Sequence, residues 1–180
     1  MDIKYRKTNK SKKDAKEIAN VVVQSWNSTY QGIMPKNYLK NRINNFDEEI
    51  NKTYNFINKV DNYLVSLCDD KIVGICYYMK SKNEEFKDYG YLQSIYVLDK
   101  YHNLGIGKEL FKRCITDFIN MGYNKMYLEC ARGNKAIDFY KHFGGIVKET
   151  IDYTISDFTI KADIIVYEDL ISALNILNKR

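Results

Sequence analysis

The fold is decided by the stretch His102-Asn103-Leu104-Gly105-Ile106-Gly107-Lys108, which stands between an apolar run and a helical pattern. The preceding run, residues 91–98, reads Tyr-Leu-Gln-Ser-Ile-Tyr-Val-Leu and predicts a strand. From Ile106 to Ile119, apolar residues recur at helical spacing and predict a helix. Two glycines at the start of that helix let successive main-chain N–H groups point into one concavity, where the helix dipole adds positive potential. This arrangement suits the binding of phosphate oxygens.

Two other interpretations of the glycine pair stay open at this point. Glycine also serves tight strand-to-helix turns for its dihedral freedom alone. A dinucleotide-binding fingerprint fits in part, because Gly105 and Gly107 match and Glu129 ends the next predicted strand, but Leu110 stands where a third glycine is needed. A Walker P-loop is excluded, because the sequence has no Gly-x-x-x-x-Gly-Lys-Ser/Thr pattern.

The composition is typical of one globular domain. Of the 180 residues, 45% are hydrophobic and 28% are charged. We therefore expect a single domain over residues 1–180, with a short helix or tail at 169–180. Apolar stretches stay well below membrane-span length, so we expect a cytoplasmic protein with no membrane partner. The net charge of +5 suits a small anionic ligand and is too low and too dispersed for a nucleic-acid partner.

Cysteine and histidine spacing indicates neither a disulfide framework nor a metal site. No two cysteines form a Cys-x-x-Cys pair, and the chain has two histidines. Each cysteine lies within an apolar pattern, so we expect buried free thiols at Cys68, Cys76, Cys114 and Cys130. No metal cofactor is expected.

Hydropathy along the chain predicts an α/β fold with a mixed sheet and helices on both faces, in the order β-α-α-β-β-β-α-β-α-β-β. Ser11 with Asp14 resembles a capping box at the start of the first helix. Asp47 is a candidate cap for a further helical stretch that reaches Ile57. Hairpins are expected around Asp69-Asp70 and around Ser156-Asp157.

The glycine turn and a second stretch downstream resemble two motifs of the GCN5-related N-acetyltransferase (GNAT) family. The first motif, Arg/Gln-x-x-Gly-x-Gly/Ala after the fourth strand, stands here as His102-x-x-Gly105-x-Gly107. The second, Asn-x-x-Ala followed by Phe-Tyr and Gly-Phe, stands within residues 134–145, Asn-Lys-Ala-Ile-Asp-Phe-Tyr-Lys-His-Phe-Gly-Gly. One predicted strand separates them, as in the family, and the resemblance covers about Ile3 to Tyr167.

The resemblance implies the GNAT fold and the activity of an acetyl-CoA-dependent N-acetyltransferase. Such an acyltransferase moves an acetyl group to a primary amine of a small molecule, peptide or protein by direct attack on the thioester. Acetyl-CoA is then a cosubstrate, and no metal is needed. The alternative is a non-catalytic acyl-CoA-binding or protein-interaction module on the same fold. The sequence leaves open the amine acceptor and whether the protein is a monomer or a homodimer.

The resemblance also implies which residues bind acetyl-CoA. Main-chain amides of the turn are expected to hold the pyrophosphate, and the strand near Tyr96 to pair with the pantetheine arm. Asn134 is expected to contact the pantetheine or the departing thiolate, a role that can coexist with that of a helix N-cap. The expected cofactor-binding residues are Ile95, Tyr96, Val97, His102, Asn103, Leu104, Gly105, Ile106, Gly107, Lys108 and Asn134.

Two tyrosines are the expected catalytic residues. The Tyr140 hydroxyl would give a proton to the CoA sulfur, with a core-packing role as the alternative. A main-chain N–H near Tyr96 would polarise the thioester carbonyl. The general base is unassigned, because Tyr91 stands where many relatives carry a glutamate. Besides an ordered water, the candidate bases are Glu84, Glu85, Asp88 and Glu129.

The segment from Trp26 to Ile33 resembles the acceptor-side loop of many bacterial relatives. Trp26, Tyr30 and Met34 are therefore expected to line an amine-binding cleft, with core packing as the alternative for Trp26. Two further positions depart from the family pattern. His102 replaces the usual Arg or Gln, and Gly145 replaces the usual Phe, which removes an aromatic side chain from the core.

Overall fold

The computed structural model describes residues 2–179, which form seven β-strands and six α-helices. In chain order they are β1 (Ile3–Lys7), α1 (Lys12–Thr29), α2 (Lys36–Asn44), α3 (Phe46–Ile57), β2 (Tyr63–Cys68), β3 (Lys71–Lys80), β4 (Gly90–Val97), α4 (Ile106–Asn120), β5 (Met126–Ala131), α5 (Ala136–His142), β6 (Ile146–Ile155), β7 (Phe158–Tyr167) and α6 (Leu170–Lys179). The strands form one mixed sheet in the order β1-β2-β3-β4-β5-β7-β6. This confirms the α/β prediction with a mixed sheet.

The structure has two helices that the predicted element order lacks. One is α3, which begins at Phe46 with Asn45 at its N-cap, so the prediction of Asp47 as the cap is wrong. Its first turn carries Asp47, Glu48 and Glu49, and these acidic side chains favour a helix N-terminus through the helix dipole. The other is α6, at the position expected for a short terminal helix or tail. Met1 and Arg180, the ends of the predicted domain, lie outside the described residues.

The chain divides into two compact units. The first unit comprises the residues up to Tyr77 together with Ser94–Phe111, and the second comprises Tyr78–Gln93 and the residues from Lys112 on. The single domain expected from the sequence stays a prediction. The glycine turn belongs to the first unit, and the Asn134 to Gly145 stretch belongs to the second.

In the first unit, β1, β2 and β3 pair antiparallel in succession. The turn between β2 and β3 has positive φ at Asp69 (49°) and Asp70 (59°), as a two-residue hairpin turn with the right twist requires. Helix α1 begins after Ser11, whose hydroxyl accepts a hydrogen bond from the Asp14 amide at 3.1 Å. The Asp14 carboxylate does not complete a reciprocal box: it binds the Arg6 guanidinium and the Asn9 amide.

In the second unit, β4 pairs parallel to β5, with Tyr91 opposite Tyr127. Strand β7 pairs antiparallel with β5 on one side and with β6 on the other. The β6–β7 hairpin turns at residues 156–157, where the sequence predicts it. A buried cluster of this unit contains Phe86, Tyr127, Ile164 and Val166.

The four cysteines are buried and free, which confirms the expected thiols. Within residues 2–179, no helix combines the length and the apolar character needed to cross a membrane. The same residues contain no cluster of three or more His, Cys, Asp and Glu side chains that could hold a metal ion.

Candidate active site

The glycine turn of the first unit has the backbone geometry of an anion-binding nest. A short 3₁₀ turn, Asp99–Tyr101, follows β4, and α4 begins at Ile106. Between them the chain is exposed, and φ is positive at Asn103 (62°) and at Gly105 (75°). Left-handed residues that alternate with right-handed ones turn successive amides toward the same side. The sequence prediction of a strand, a glycine turn and a helix is therefore confirmed.

The main-chain amides of this turn are available to a ligand. The Glu109 amide donates to the Gly105 carbonyl at 2.9 Å and starts the helical hydrogen bonds of α4. For the amides of residues 103–108, the structure shows no acceptor anywhere in residues 2–179. Helix N-termini leave such donors unsatisfied, and together with the helix dipole they favour an anion.

The two glycines of the turn serve different purposes. Gly105 has positive φ, which side-chain-bearing residues adopt at a cost, so a tight turn alone explains it. Gly107 does not need the left-handed region, and a Cβ placed there would meet only Val97 Cγ2, at 3.9 Å. Neither strain nor internal crowding therefore requires glycine at position 107. The space beside Gly107 leaves room for a ligand to approach the backbone.

His102 connects the end of β4 to the turn. Its Nε2 lies 2.8 Å from the Val97 carbonyl oxygen, so the imidazole donates a hydrogen bond from Nε2. The same nitrogen lies 3.8 Å from Asp99 Oδ1. The imidazole thus holds the turn through a main-chain oxygen, in a position where the family pattern has Arg or Gln.

Tyr96 lies on β4 beside a strand that approaches it closely. A Cβ built on Gly74 would stand 3.2 Å from the Tyr96 carbonyl oxygen and 2.6 Å from Ser66 Oγ, so the close approach requires glycine. The Tyr96 hydroxyl lies 3.4 Å from the Tyr30 hydroxyl. The structure thus brings together one expected catalytic residue and one expected acceptor-binding residue.

The three expected acceptor-binding residues lie within the first unit. Tyr30 and Met34 are buried and Trp26 is half-buried. The Trp26 and Tyr30 rings are 4.9 Å apart, and the Arg42 guanidinium lies 4.3 Å from the Trp26 ring centre. Trp26 Nε1 is buried without a hydrogen-bond acceptor among the described residues.

The same segment also borders an open groove of about 590 Å³. Its lining contains Asn27, Ser28 and Gln31 from the segment, with Ile43 and Phe46 from α2 and α3. Trp26, Tyr30 and Met34 are not among the lining residues. Part of the acceptor-side segment is therefore exposed to a ligand-sized space, and part of it packs inward.

Asn134 and Tyr140 lie in the second unit, before and within α5. Asn134 Oδ1 accepts a hydrogen bond from the Ala136 amide at 2.9 Å, as a capping side chain does. Tyr140 is 7% exposed, and its ring lies 5.3 Å from that of Phe139. The capping role of Asn134 is thus present in the structure, and its contact with the cofactor stays a prediction.

Gly145 stands where an aromatic side chain would not fit. A Cβ at this position would lie 2.7 Å from Ile165 Cγ2 and 2.9 Å from both the Tyr140 carbonyl oxygen and the Tyr167 hydroxyl. The hydroxyl of the buried Tyr167 side chain occupies this space and donates to the Tyr140 carbonyl oxygen at 2.7 Å. An aromatic side chain is therefore present in this part of the core, supplied by β7. Sequence reasoning missed Tyr167, since only the strand pairing places it beside Gly145.

Of the four carboxylates considered as a base, Glu129 has a distinct environment. Glu84, Glu85 and Asp88 are exposed, and Glu85 is paired with Lys148 at 2.5 Å. Glu129 is half-buried on β5, and burial raises its pKa above the ordinary value. Its carboxylate accepts a hydrogen bond from the Tyr91 hydroxyl at 3.2 Å.

The sequence matches the model of the acetyltransferase (GNAT) family over residues 23–144. This match covers more than half of the chain, and the protein belongs to that family. A curated relative is YuaI of Bacillus subtilis (strain 168), described as an uncharacterized N-acetyltransferase. The two sequences are 24% identical over 166 residues, which cover 92% of this chain and 94% of YuaI.

Solved structures share the fold. The PaiA N-acetyltransferase of Thermoplasma acidophilum, in complex with coenzyme A, superposes with a TM-score of 0.68 at 22% identity, over 90% of this chain and 98% of PaiA. YncA of Salmonella typhimurium, solved with its cofactor acetyl-CoA, superposes with a TM-score of 0.66 at 16% identity, over 93% of this chain and 94% of YncA. At these identities the likeness establishes the fold.

Proposed function

We propose that the protein is an acetyl-CoA-dependent N-acetyltransferase that acetylates a primary amine. The observation that carries this proposal is the set of unpaired amides at residues 103–108, which open onto free space at Gly107. A diphosphate is an anion that such a nest binds through N–H donors and the helix dipole. Membership of the family, and the coenzyme A and acetyl-CoA of two structural neighbours, support this choice of anion.

The first unit supplies the proposed phosphate and thioester contacts. The amides from Asn103 to Lys108 hold the pyrophosphate, and the Lys108 ammonium screens its charge. Ile95, Tyr96 and Val97 lie beyond the part of β4 that pairs with β5, which is Gly90 to Leu92. They offer main-chain groups to the pantetheine arm, as a strand does to an added strand. For the second unit, the proposed contact with acetyl-CoA is the side-chain amide of Asn134.

Acetyl-CoA supplies an acetyl group activated as a thioester. The residues of this chain have three tasks in the transfer. The N–H near Tyr96 stabilises negative charge on the carbonyl oxygen. Glu129 takes one proton from the ammonium form of the amine, and the neutral nitrogen then bonds to the acetyl carbon. The second proton that the nitrogen loses as the amide forms replaces, through solvent, the proton that Tyr140 gives to the sulfur. The Tyr140 hydroxyl protonates the sulfur that departs when the carbon–sulfur bond breaks.

Glu129 is our choice of base because its environment suits proton transfer near neutral pH. An alkylamine such as that of lysine has a pKa of about 10.4, so most of it enters as ammonium and must lose a proton. A base works best when its pKa approaches the working pH. Burial moves the pKa of Glu129 in that direction, whereas the other three candidates are exposed.

The test is a thiol-release assay with acetyl-CoA and a panel of primary amines. The panel contains polyamines, aminoglycosides, amino-acid-like metabolites and peptides with free N-termini or lysines. We expect saturable, amine-dependent release with at least one class. Binding of coenzyme A without release for any amine would instead indicate a non-catalytic acyl-CoA-binding module.

A further inference from the structure

Glu129 is a half-buried carboxylate that no cation neutralises. Among residues 2–179, no Lys, Arg or His forms an ion pair with it. The hydrogen bond that it receives comes from Tyr91, with 3.2 Å between the phenol oxygen and Oε2. A half-buried carboxylate keeps part of its hydration, and this donor adds to the stability of its charged form.

The Tyr91 ring is fixed by a stack of aromatic rings. It stacks on Tyr127 with 4.8 Å between ring centres, and Tyr127 stacks on Phe86 at 4.3 Å. The parallel register of β4 and β5 sets Tyr91 opposite Tyr127. Glu129 follows Tyr127 by two residues and thus lies on the same face of β5. The register and the stack together direct the Tyr91 hydroxyl at the carboxylate.

We propose that Tyr91 is a positioning residue for Glu129: its hydroxyl fixes the orientation of the carboxylate and stabilises its ionised, proton-accepting form. The catalytic part of this inference rests on the proposed function of Glu129 as the base. Tyr91 stands where the family resemblance leads one to expect a carboxylate on β4 itself. In this chain the carboxylate lies on β5, and β4 supplies the group that orients it.

The protonation states agree with this role. Burial raises the pKa of Tyr91, which keeps the phenol neutral and able to donate at physiological pH. Burial raises the pKa of Glu129, and the hydrogen bond from Tyr91 lowers it, so the phenol offsets part of the cost of burial. The other titratable groups that face Glu129 are the phenols of Tyr127 on β5 and Tyr153 on β6. Burial also raises their pKa values, so neither brings charge near neutral pH.

The first measurement is independent of activity. Carbon-13 NMR follows the Glu129 side-chain carboxyl through a pH titration of the full-length protein without ligand, and Glu129→Gln assigns the signal. We expect Tyr91→Phe to raise the pKa of Glu129 by about one pH unit, the lower end for a hydrogen bond to a charged group. Tyr127→Phe is the matched control, because its hydroxyl lies 3.3 Å from Ser81 Oγ and it belongs to the same stack. This control should leave the titration of Glu129 unchanged.

The second measurement is the pH profile of kcat/KM with acetyl-CoA and the panel amine that gives the fastest thiol release. A base must be deprotonated in the free enzyme, so the rate falls on the acidic side of its pKa. Tyr91→Phe should move this acidic limb to higher pH by the same amount as the NMR titration. A residue with a purely structural role would lower the rate at every pH and leave the limb in place.

Two results would overturn the inference about Tyr91, and a third would overturn the proposed function alone. An unchanged Glu129 titration in Tyr91→Phe overturns the inference. A shifted titration with an unmoved acidic limb also overturns it, because the tuned carboxylate is then not the base. If the wild-type protein releases no thiol with any amine, the proposed function fails, and the NMR titration alone decides whether Tyr91 tunes Glu129.

Discussion

Tyr140 is a single residue in which a core role and a chemical role compete. Its side chain is 7% exposed, and its main-chain carbonyl accepts a hydrogen bond from the Tyr167 hydroxyl. Tyr140 therefore contributes to the packing of the second unit. The proposed proton donation adds a task for its own hydroxyl. The two roles predict different outcomes when only that oxygen is removed.

We expect Tyr140→Phe to lower kcat by about 100-fold, while acetyl-CoA affinity stays nearly unchanged. The low end of the range for a positioned acid applies, because a thiol with a pKa near 8.5 already leaves tolerably as thiolate. Steady-state kinetics and calorimetry check this. Tyr167→Phe is the control, since it removes the bond to the Tyr140 carbonyl without touching the Tyr140 hydroxyl. A wild-type kcat in Tyr140→Phe would remove this residue from the mechanism.

Glu129 is a residue where function and stability oppose each other. Burial raises its folded-state pKa above the ordinary value of 4.5, so its contribution to stability is complete below that value and is lost as pH rises through the folded-state pKa. Glu129→Gln should therefore raise the melting temperature at neutral pH, give no such gain near pH 4, and abolish most thiol release. Scanning calorimetry at the two pH values checks this. A lower melting temperature at neutral pH would contradict it.

At the scale of elements, the start of α1 is held to β1 by one buried carboxylate. The Asp14 carboxylate accepts hydrogen bonds from both Nη groups of Arg6, at 2.7 and 2.9 Å. It also accepts hydrogen bonds from the Thr8 hydroxyl and the Asn9 amide. Burial alone would raise the pKa of Asp14, but these hydrogen bonds bring it below its usual value. The stability that they supply is present above the ordinary pKa and is lost as pH falls through the lower, folded-state value.

We expect Asp14→Ala to reduce the free energy of unfolding by about 3 kcal/mol, because it leaves the Arg6 charge and two further donors without their acceptor. The melting temperature should fall by about 6–12 °C for a chain of this size. Asp61→Ala is the matched control: it removes an exposed ion pair with Lys10 and should leave the melting temperature unchanged. Equal effects of the two substitutions would contradict the assignment of the Asp14 network as the link between β1 and α1.

Elements with local determinants could be predicted from the sequence. The turn at residues 102–108 follows from glycine spacing, and the hairpin at 156–157 follows from two flanking apolar runs. The predicted order lacks α3, although the sequence shows a helical stretch that reaches Ile57. In the structure this helix contacts α1 and has a single buried residue, Ile57.

At the scale of the whole molecule, the features that escaped prediction are contacts between distant parts of the chain. The Tyr91–Glu129 hydrogen bond depends on the parallel register of β4 with β5, and the Tyr167 ring beside Gly145 depends on β7. Hydrophobic periodicity predicts which face of a strand is buried. It does not predict which strand lies beside it or the register of their pairing. Glycine spacing predicted the nest and the family resemblance its ligand, whereas the environment of the proposed base is visible only in the structure.

The central claim is that the turn at residues 102–108 binds acetyl-CoA, and isothermal titration calorimetry with acetyl-CoA tests it most directly. We expect saturable binding to the wild type and at least tenfold weaker binding to Gly107→Val, a loss of about 1.4 kcal/mol or more, because the new side chain fills the space where phosphate meets backbone. The melting temperature of the variant should stay close to that of the wild type, since a Cβ at this position meets only Val97, at 3.9 Å. NAD is the comparison ligand, and we expect acetyl-CoA to be preferred. No saturable binding at millimolar acetyl-CoA, or equal affinity in a folded Gly107→Val variant, would contradict the account.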